Sequence, residues 1–322
     1  MRILFAGSPF IAVPSLKALV KSKSVNFELA GVLTNPDAPR GRKSALIPSE
    51  IAQAAGELLL EAKFAVFKPE KLDAKAREEI SLIKPDILVS FAYGRIFGPK
   101  FLDLFPLGGI NIHPSLLPKY RGPSPLQAAI INRDAVTGVS IQKLAPKMDS
   151  GDILAVKELQ LTGQETTSSL GEIAGQTAAF MLPEVLDKIA CKTASSSPQN
   201  HNEASYCRLI KKEDSDINWN QSAAEIEAKI RAFTPWPLSK TIHNGRELFI
   251  LKAVVLEGGR DDVPRGQVLG IDKKNGILVQ TGKGILCVTE LQYQAKKALH
   301  WRDFLNGARD FADEKNNPTM LG

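Results

Sequence analysis

What most limits the fold of this chain is the alternation, through its first half, of short apolar runs with longer stretches of helical spacing. Arg2–Ala6, Glu28–Thr34, Asp86–Ser90 and Gly109–His113 are each of strand length and rich in Ile, Leu and Val. Between them lie segments of helical pattern, such as Pro14–Val20 and 70–83, the second ending before Pro85, whose ring nitrogen has no hydrogen to donate to a helix. Strands alternating with helices predict an α/β fold, with a Rossmann-like, mostly parallel sheet covered by helices. Two more apolar runs, Gly138–Leu144 and Asp152–Leu161, flank the turn-rich segment 146–151 and read as a strand pair. Leu126–Asn132 and 168–190 read as helices, the longer one amphipathic in spite of Pro183.

After residue 190 the pattern changes. Residues 192–205 are polar and poor in large apolar side chains, the character of a solvated connection. Beyond it come one helix, Ala223–Phe233, and short strands at 241–256, 266–271, 276–281 and 284–291, punctuated by Gly, Asp and Asn. That spacing predicts a small β-barrel or sandwich, and a barrel of the OB type would suit a nucleic-acid partner. The expected organisation is therefore a domain over 1–191, a linker over 192–205 and a second domain over 206–322. The 322 residues are enough for two cores.

Composition removes several classes of function. No run reaches the ~18–20 apolar residues of a membrane-spanning helix, and the opening strand is too short for a signal-peptide core. A cytoplasmic location, with no membrane partner, is expected. Cys191, Cys207 and Cys287 are far apart without a C-x-x-C spacing, and none of the four histidines lies four residues from another. Neither a disulfide framework nor a metal site is expected. No heptad pattern calls for a partner chain, so the expectation is a monomer. The net charge of +6 favours a polyanion, yet it is spread evenly: 23 Lys and Arg against 20 Asp and Glu in 1–205, and 18 against 15 in 206–322. A nucleic-acid surface would have to come from folding.

Gly7-Ser8-Pro9-Phe10-Ile11 follows the first strand and opens a helix, the place for a dinucleotide fingerprint, but Ser8-Pro9 replaces the close-approach glycines. Hydride transfer with a bound nicotinamide is disfavoured. A phosphate-binding G-x-x-x-x-G-K-[ST] is absent too.

The richest cluster is Asn111-Ile112-His113-Pro114-Ser115-Leu116-Leu117-Pro118. Residues two apart on a strand share a face, so Asn111 and His113 reach one volume, and Pro114 ends the strand there. In parallel sheets, ligands sit outside such carboxyl ends. A histidine satisfied by a backbone carbonyl and an asparagine capping a turn would account for the same residues, and spacing does not choose. Asp149, in Met148-Asp149-Ser150-Gly151-Asp152, is a turn residue by composition, but paired with His113 it could orient the ring. Phe91-Ala92-Tyr93-Gly94 follows another strand and could either border a flat ligand or belong to the core. Arg40-Gly41-Arg42-Lys43 is a basic loop suited to phosphate contacts or simply solvated.

At these residues the chain resembles the 10-formyltetrahydrofolate-dependent formyltransferases, in particular those acting on methionyl-tRNA. NIHPSLLPKYRG at 111–122 with MDSGD at 148–152 is similar to the signature shared by enzymes that use this formyl donor. FAGSPFIAVPSL at 5–16, TNPDAPRGRK at 34–43, INW at 217–219 and IRAFTPWP at 230–237 resemble the tRNA-specific branch. The resemblance implies a catalytic trio of Asn111, His113 and Asp149, and a folate site lined by Ser115, Leu116, Leu117 and Pro118. Phe91, Ala92, Tyr93 and Gly94 would border the pterin pocket. It further implies that Arg40, Arg42 and Lys43 touch the tRNA acceptor stem and that the C-terminal part is an OB-like tRNA-binding barrel. The implied reaction moves a formyl group to the α-amine of methionine on initiator tRNA. Another acceptor, such as a ribonucleotide, an amino sugar or water, or a tRNA-binding module without catalysis, are the competing readings.

Overall fold

A computed structural model describes residues 1–40, 45–260, 262–308, 311 and 319–322. The chain divides into two units that do not follow one cut in sequence: Met1–Pro125, Val136–Gln160 and Leu170–Arg208 form the first, and Leu126–Ala135, Leu161–Ser169 and Leu209–Gly322 the second. No helix among the described residues is long and apolar enough to cross a membrane.

The chain opens with β1 (Arg2–Gly7), α1 (Val13–Lys21) and β2 (Glu28–Leu33), then a small antiparallel ribbon of β3 (Ala38–Arg40) and β4 (Ala45–Ile47). There follow α2 (Glu50–Leu58), β5 (Ala65–Phe67), α3 (Ala74–Ser81), β6 (Ile87–Phe91), α4 (Pro99–Leu102) and β7 (Gly109–His113). After α5 (Pro125–Ile131) come β8 (Val136–Lys143), β9 (Ile153–Gln160) and the long α6 (Thr167–Ala190). The seven-stranded sheet of the first unit runs β5-β2-β1-β6-β7-β8-β9. Pairing is parallel from β5 to β7 and antiparallel for β7–β8 and β8–β9.

The order explains the sequence pattern. β1 and β6 lie mid-sheet, so both faces of each are covered, and their side chains are buried almost without a break. One face packs Leu4, Ala6, Leu33 and Leu88 against Ile80 of α3 and Phe101 of α4. The helix expected over 70–83 begins at Ala74 because Asp73 caps it, accepting from Ala76 N at 3.0 Å. β3, β4, β5 and α4, too short to be read from sequence, complete the unit together with α2, whose N-cap Ser49 and buried Ile51, Ala55 and Leu58 do carry a helical pattern.

The second unit holds α7 (Ala223–Ala232), β10 (Ser239–His243), β11 (Arg246–Leu256), β12 (Val268–Asp272), β13 (Gly276–Gln280), β14 (Ile285–Tyr293), β15 (Leu299–His300) and α8 (Trp301–Gly307). Its sheet is antiparallel, ordered β10-β11-β14-β13-β12, with β15 beside β14. The segment expected as one strand over 241–256 is two, because Asn244 and Gly245 both take positive φ, 48° and 72°, and turn the chain back. Ser222 caps α7 in a capping box with Glu225. Ile226, Ile230, Leu248, Val279, Leu286, Trp219 and Trp301 belong to one core.

This sheet is not found closed into a barrel. Among the described residues its outer strands β10 and β12 do not pair with each other. Each meets the chain end instead: Val268 N donates to Thr319 O at 2.9 Å, Leu321 N to Gly266 O at 3.0 Å, and Gly322 N to Ile242 O at 3.1 Å.

Leu286 is fully buried in this core, so Leu286→Ala should lower unfolding free energy by about 2–5 kcal/mol in urea titration. Val25→Ala, at a side chain 97% exposed, should change it by less than about 0.5 kcal/mol.

Candidate active site

β6 and β7 run side by side, with Ser90 beside Asn111 and Phe91 beside Ile112, so both end at one level. On the other side of β7, antiparallel β8 sets Gln142 opposite Asn111 and Ser140 opposite His113. Directly opposed residues share a sheet face, so four polar side chains gather there. The turn between β8 and β9 carries Asp149, whose backbone is left-handed, φ 50°. That conformation costs a non-glycine residue about 1 kcal/mol. The surrounding contacts must hold it.

The Asp149 carboxylate is the focus. Its Oδ1 accepts from Gln142 Nε2 at 3.0 Å and from Asn111 Nδ2 at 3.3 Å. Its Oδ2 accepts from Gly122 N at 2.8 Å and lies 3.6 Å from His113 Nδ1. Gly122 has φ 113°, and a Cβ there would stand 2.2 Å from the Cys207 carbonyl oxygen, so only glycine can bring this amide to the carboxylate.

His113 is 4% exposed. Its Nε2 lies 2.8 Å from the Tyr120 carbonyl, an acceptor only, which places the ring hydrogen on Nε2. Nδ1 then faces a carboxylate at a distance too long for a hydrogen bond. Two effects oppose each other. Burial penalises the imidazolium and pushes its pKa below the ordinary 6.5, while the Asp149 charge and the Tyr120 carbonyl pull it up without cancelling the burial. The result is a neutral imidazole at pH 7 with an anion ready to receive its charged form.

The residues expected to line a folate site divide in two. Ser115 and Leu117 are buried and shape the loop: Ser115 Oγ donates to Lys119 O at 2.6 Å, and Ser140 Oγ donates to Ser115 O at 2.7 Å while accepting from Leu117 N at 3.2 Å. Leu116 and Pro118 are half-buried. The rings of Phe91 and Tyr93 turn into the core, Tyr93 stacking on Phe97 at 5.3 Å. The core alternative therefore describes these two aromatic side chains, and what reaches the surface from this stretch is Ala92 and Gly94, both at positive φ. Arg40 ends β3, while Arg42 and Lys43, with the Arg40 side chain, lie outside the described residues.

Sequence reasoning missed Gln142, Gly122 and Tyr120. Ser140 and Gln142, polar residues alternating with Val139 and Ile141 in β8, were the available signal for the first. The other two follow the Leu-Leu-Pro of the motif, but nothing local shows that one offers its amide and the other its carbonyl.

Asp149→Asn removes the charge that favours the imidazolium, so the His113 pKa should fall further below 6.5. Proton–carbon NMR of histidine-labelled protein checks this, and an upward movement would contradict the assigned coupling. The same depression makes His113 a source of acid sensitivity. The unfolded chain takes the proton more readily, so stability present above pH 6.5 is lost as pH falls through the lowered folded value.

Comparison with known proteins places the chain in a family. Residues 1–186 match the formyl transferase family model, and residues 209–309 match that of the formyl transferase C-terminal domain. The methionyl-tRNA formyltransferase of Treponema denticola is 48% identical over 97% of this chain and 98% of its own length. Among solved structures, the fold is similar to WlaRD, a sugar 3N-formyl transferase, with a TM-score of 0.64 at 20% identity over 92% of this chain and 99% of that one. It is also similar to HypX from Aquifex aeolicus in complex with tetrahydrofolic acid, with a TM-score of 0.63 at 16% identity over 99% of this chain, which spans about half (50%) of HypX. With both its parts matched and a relative this close along its length, the chain belongs to the formyl transferase family.

Proposed function

We propose that this chain transfers the formyl group of 10-formyltetrahydrofolate to the α-amine of methionine esterified to initiator tRNA. The observation that carries the reading is the convergence of the Asn111 amide, the His113 imidazole and the Asp149 carboxylate. The near relative of the whole chain supports the choice of acceptor.

The chemistry asks for three things: a deprotonated amine, a stabilised tetrahedral oxyanion and a proton for the departing folate nitrogen. His113 meets the first and third, because a neutral imidazole accepts the amine proton at Nδ1. The imidazolium then lies between the Asp149 carboxylate and the Tyr120 carbonyl until it gives the proton to the leaving nitrogen. Such transfer contributes about 10²–10⁴ in rate. Asn111 Nδ2 has two hydrogens, one directed at Asp149 and the second available to the developing oxyanion, an interaction of about 3–4 kcal/mol. Half-buried Leu116 and Pro118, with the exposed backbone of Ala92 and Gly94, offer the apolar walls and polar edges that a flat pterin requires. Ser115, Leu117, Phe91 and Tyr93 would support that surface from beneath.

In this reading residues 1–191 carry the chemistry, 192–205 connect, and 206–322 form an OB-like tRNA-binding domain. The antiparallel order of β10–β14, with residues 319–322 hydrogen-bonded to both outer edges, supports the OB-like description. Arg40, Arg42 and Lys43 would meet the phosphates of the acceptor stem. The protein would act as a monomer in the cytoplasm, where charged tRNA is used.

Incubation with 10-formyltetrahydrofolate and methionyl-tRNA should yield formylmethionyl-tRNA, and an amino sugar as the sole productive acceptor would overturn the reading. Asn111→Ala and His113→Ala should each lower kcat by about 10²–10³ with KM for methionyl-tRNA within about twofold. Neutralising Arg40, Arg42 and Lys43 together should weaken tRNA binding and flatten its logarithmic salt dependence by about 0.7–0.9 per lost phosphate contact. An unchanged slope would remove this loop from the tRNA surface.

A further inference from the structure

A second buried polar cluster lies beside the site, built on residues without a part in the chemistry above. Gln199, within the polar stretch 192–205, is buried, and so is Arg121. Gln199 Nε2 donates to Gly151 O at 2.7 Å and to Asp149 O at 3.0 Å, and lies 3.1 Å from Gln142 Oε1. Its Oε1 accepts from Arg121 Nη2 at 2.6 Å and Nε at 3.1 Å. The guanidinium is then completed by His201 Nδ1 at 2.8 Å and the Tyr206 hydroxyl at 3.2 Å. These partners are an amide oxygen, an imidazole nitrogen and a phenol oxygen. An arginine held in this way is fixed by geometry, through its rigid fork of donors.

The backbone ties the same two segments together. Tyr120 N donates to Ser205 Oγ at 2.9 Å, Arg121 N to Ser205 O at 2.9 Å, and Cys207 N to Arg121 O at 2.8 Å. At the other end Ile153 and Ser197 exchange backbone hydrogen bonds at 2.8 and 2.9 Å, where the turn bearing Asp149 rejoins the sheet. Residues 197–207 thus strap down both pieces of chain that meet at the catalytic carboxylate. One supplies the Gly122 amide and the Tyr120 carbonyl, and the other supplies Asp149 itself.

We propose that Gln199, fixed by Arg121, is a positioning residue that keeps Asp149 in its left-handed backbone conformation and so aims the carboxylate at Asn111 and His113. The physical reason is that the left-handed region is less favourable for a residue with a Cβ, and Gln199 offsets this by donating to the carbonyls of both Asp149 and Gly151. Rotation of that turn would carry the carboxylate away from its donors. The inference rests on the reading of Asp149 as the partner of His113.

Gln199→Glu separates the clamp from the fold, since it keeps oxygen acceptors for Arg121 and removes the donors to the two carbonyls. Gln199→Met removes both without adding charge. In steady-state formylation of methionyl-tRNA by the full chain, each should lower kcat by about 10–100-fold with KM for methionyl-tRNA within about threefold. Unfolding of Gln199→Glu should stay within a few degrees of wild type. Because Gln199 acts through Asp149, adding either substitution to Asp149→Asn should change kcat by less than about threefold. Wild-type kcat in Gln199→Glu, or the full loss reappearing on top of Asp149→Asn, would overturn the proposal while leaving the trio intact. An Asp149→Asn enzyme with wild-type kcat would remove the trio and this proposal together.

Discussion

The site depends on how a largely enclosed carboxylate is solvated by the protein. Asp149 has lost most of its water, its side chain being 12% exposed, and a bare anion there would cost several kcal/mol. Three N–H groups replace the water: an amide from β7, an amide from β8 and a backbone donor from the loop after β7. Each comes from a different segment. The antiparallel register of β7 with β8, the glycine at 122 and the left-handed turn at 149 are all required for them to meet.

The same enclosure sets the charge state of His113. Were His113 exposed beside Asp149, the carboxylate would raise its pKa and the ring would carry a proton when the amine arrives. Burial reverses the balance, so the anion stabilises the imidazolium only after proton transfer has formed it. In the proposed reaction that help would come late, where it lowers a barrier, and not in the resting state. In the same proposal Asn111 would use one amide hydrogen to hold the carboxylate in place and the other for the oxyanion.

The position of the site follows from the fold. Parallel strands β1, β2, β6 and β7 all end at one edge; antiparallel β8 runs away from that edge, setting Lys143 opposite Ile110, and the acidic turn after it folds back so that Asp149 reaches Asn111 and His113. A parallel sheet alone would offer the amide and imidazole without their carboxylate. Polar residues 192–205 read as a solvated connection because they are poor in large apolar side chains. Their ordering is polar, through Gln199, Ser205 and the backbone, and hydrophobic patterning is blind to it.

Central strands could be read from residue order because burial on both faces demands an unbroken apolar run, and period-two geometry puts Asn111 and His113 on one face whatever surrounds them. The split of 241–256 was also written locally, in Asn244-Gly245, a turn pair that the apolar residues on either side obscured. Folding alone decided that Phe91 and Tyr93 turn inward, and that Gln142, Gly122 and Gln199 gather around Asp149. The reason is one of range: strand and turn preferences act between neighbours, whereas a buried charge takes its donors from whichever segments the topology brings within 3 Å or so, and that proximity is nowhere encoded in spacing.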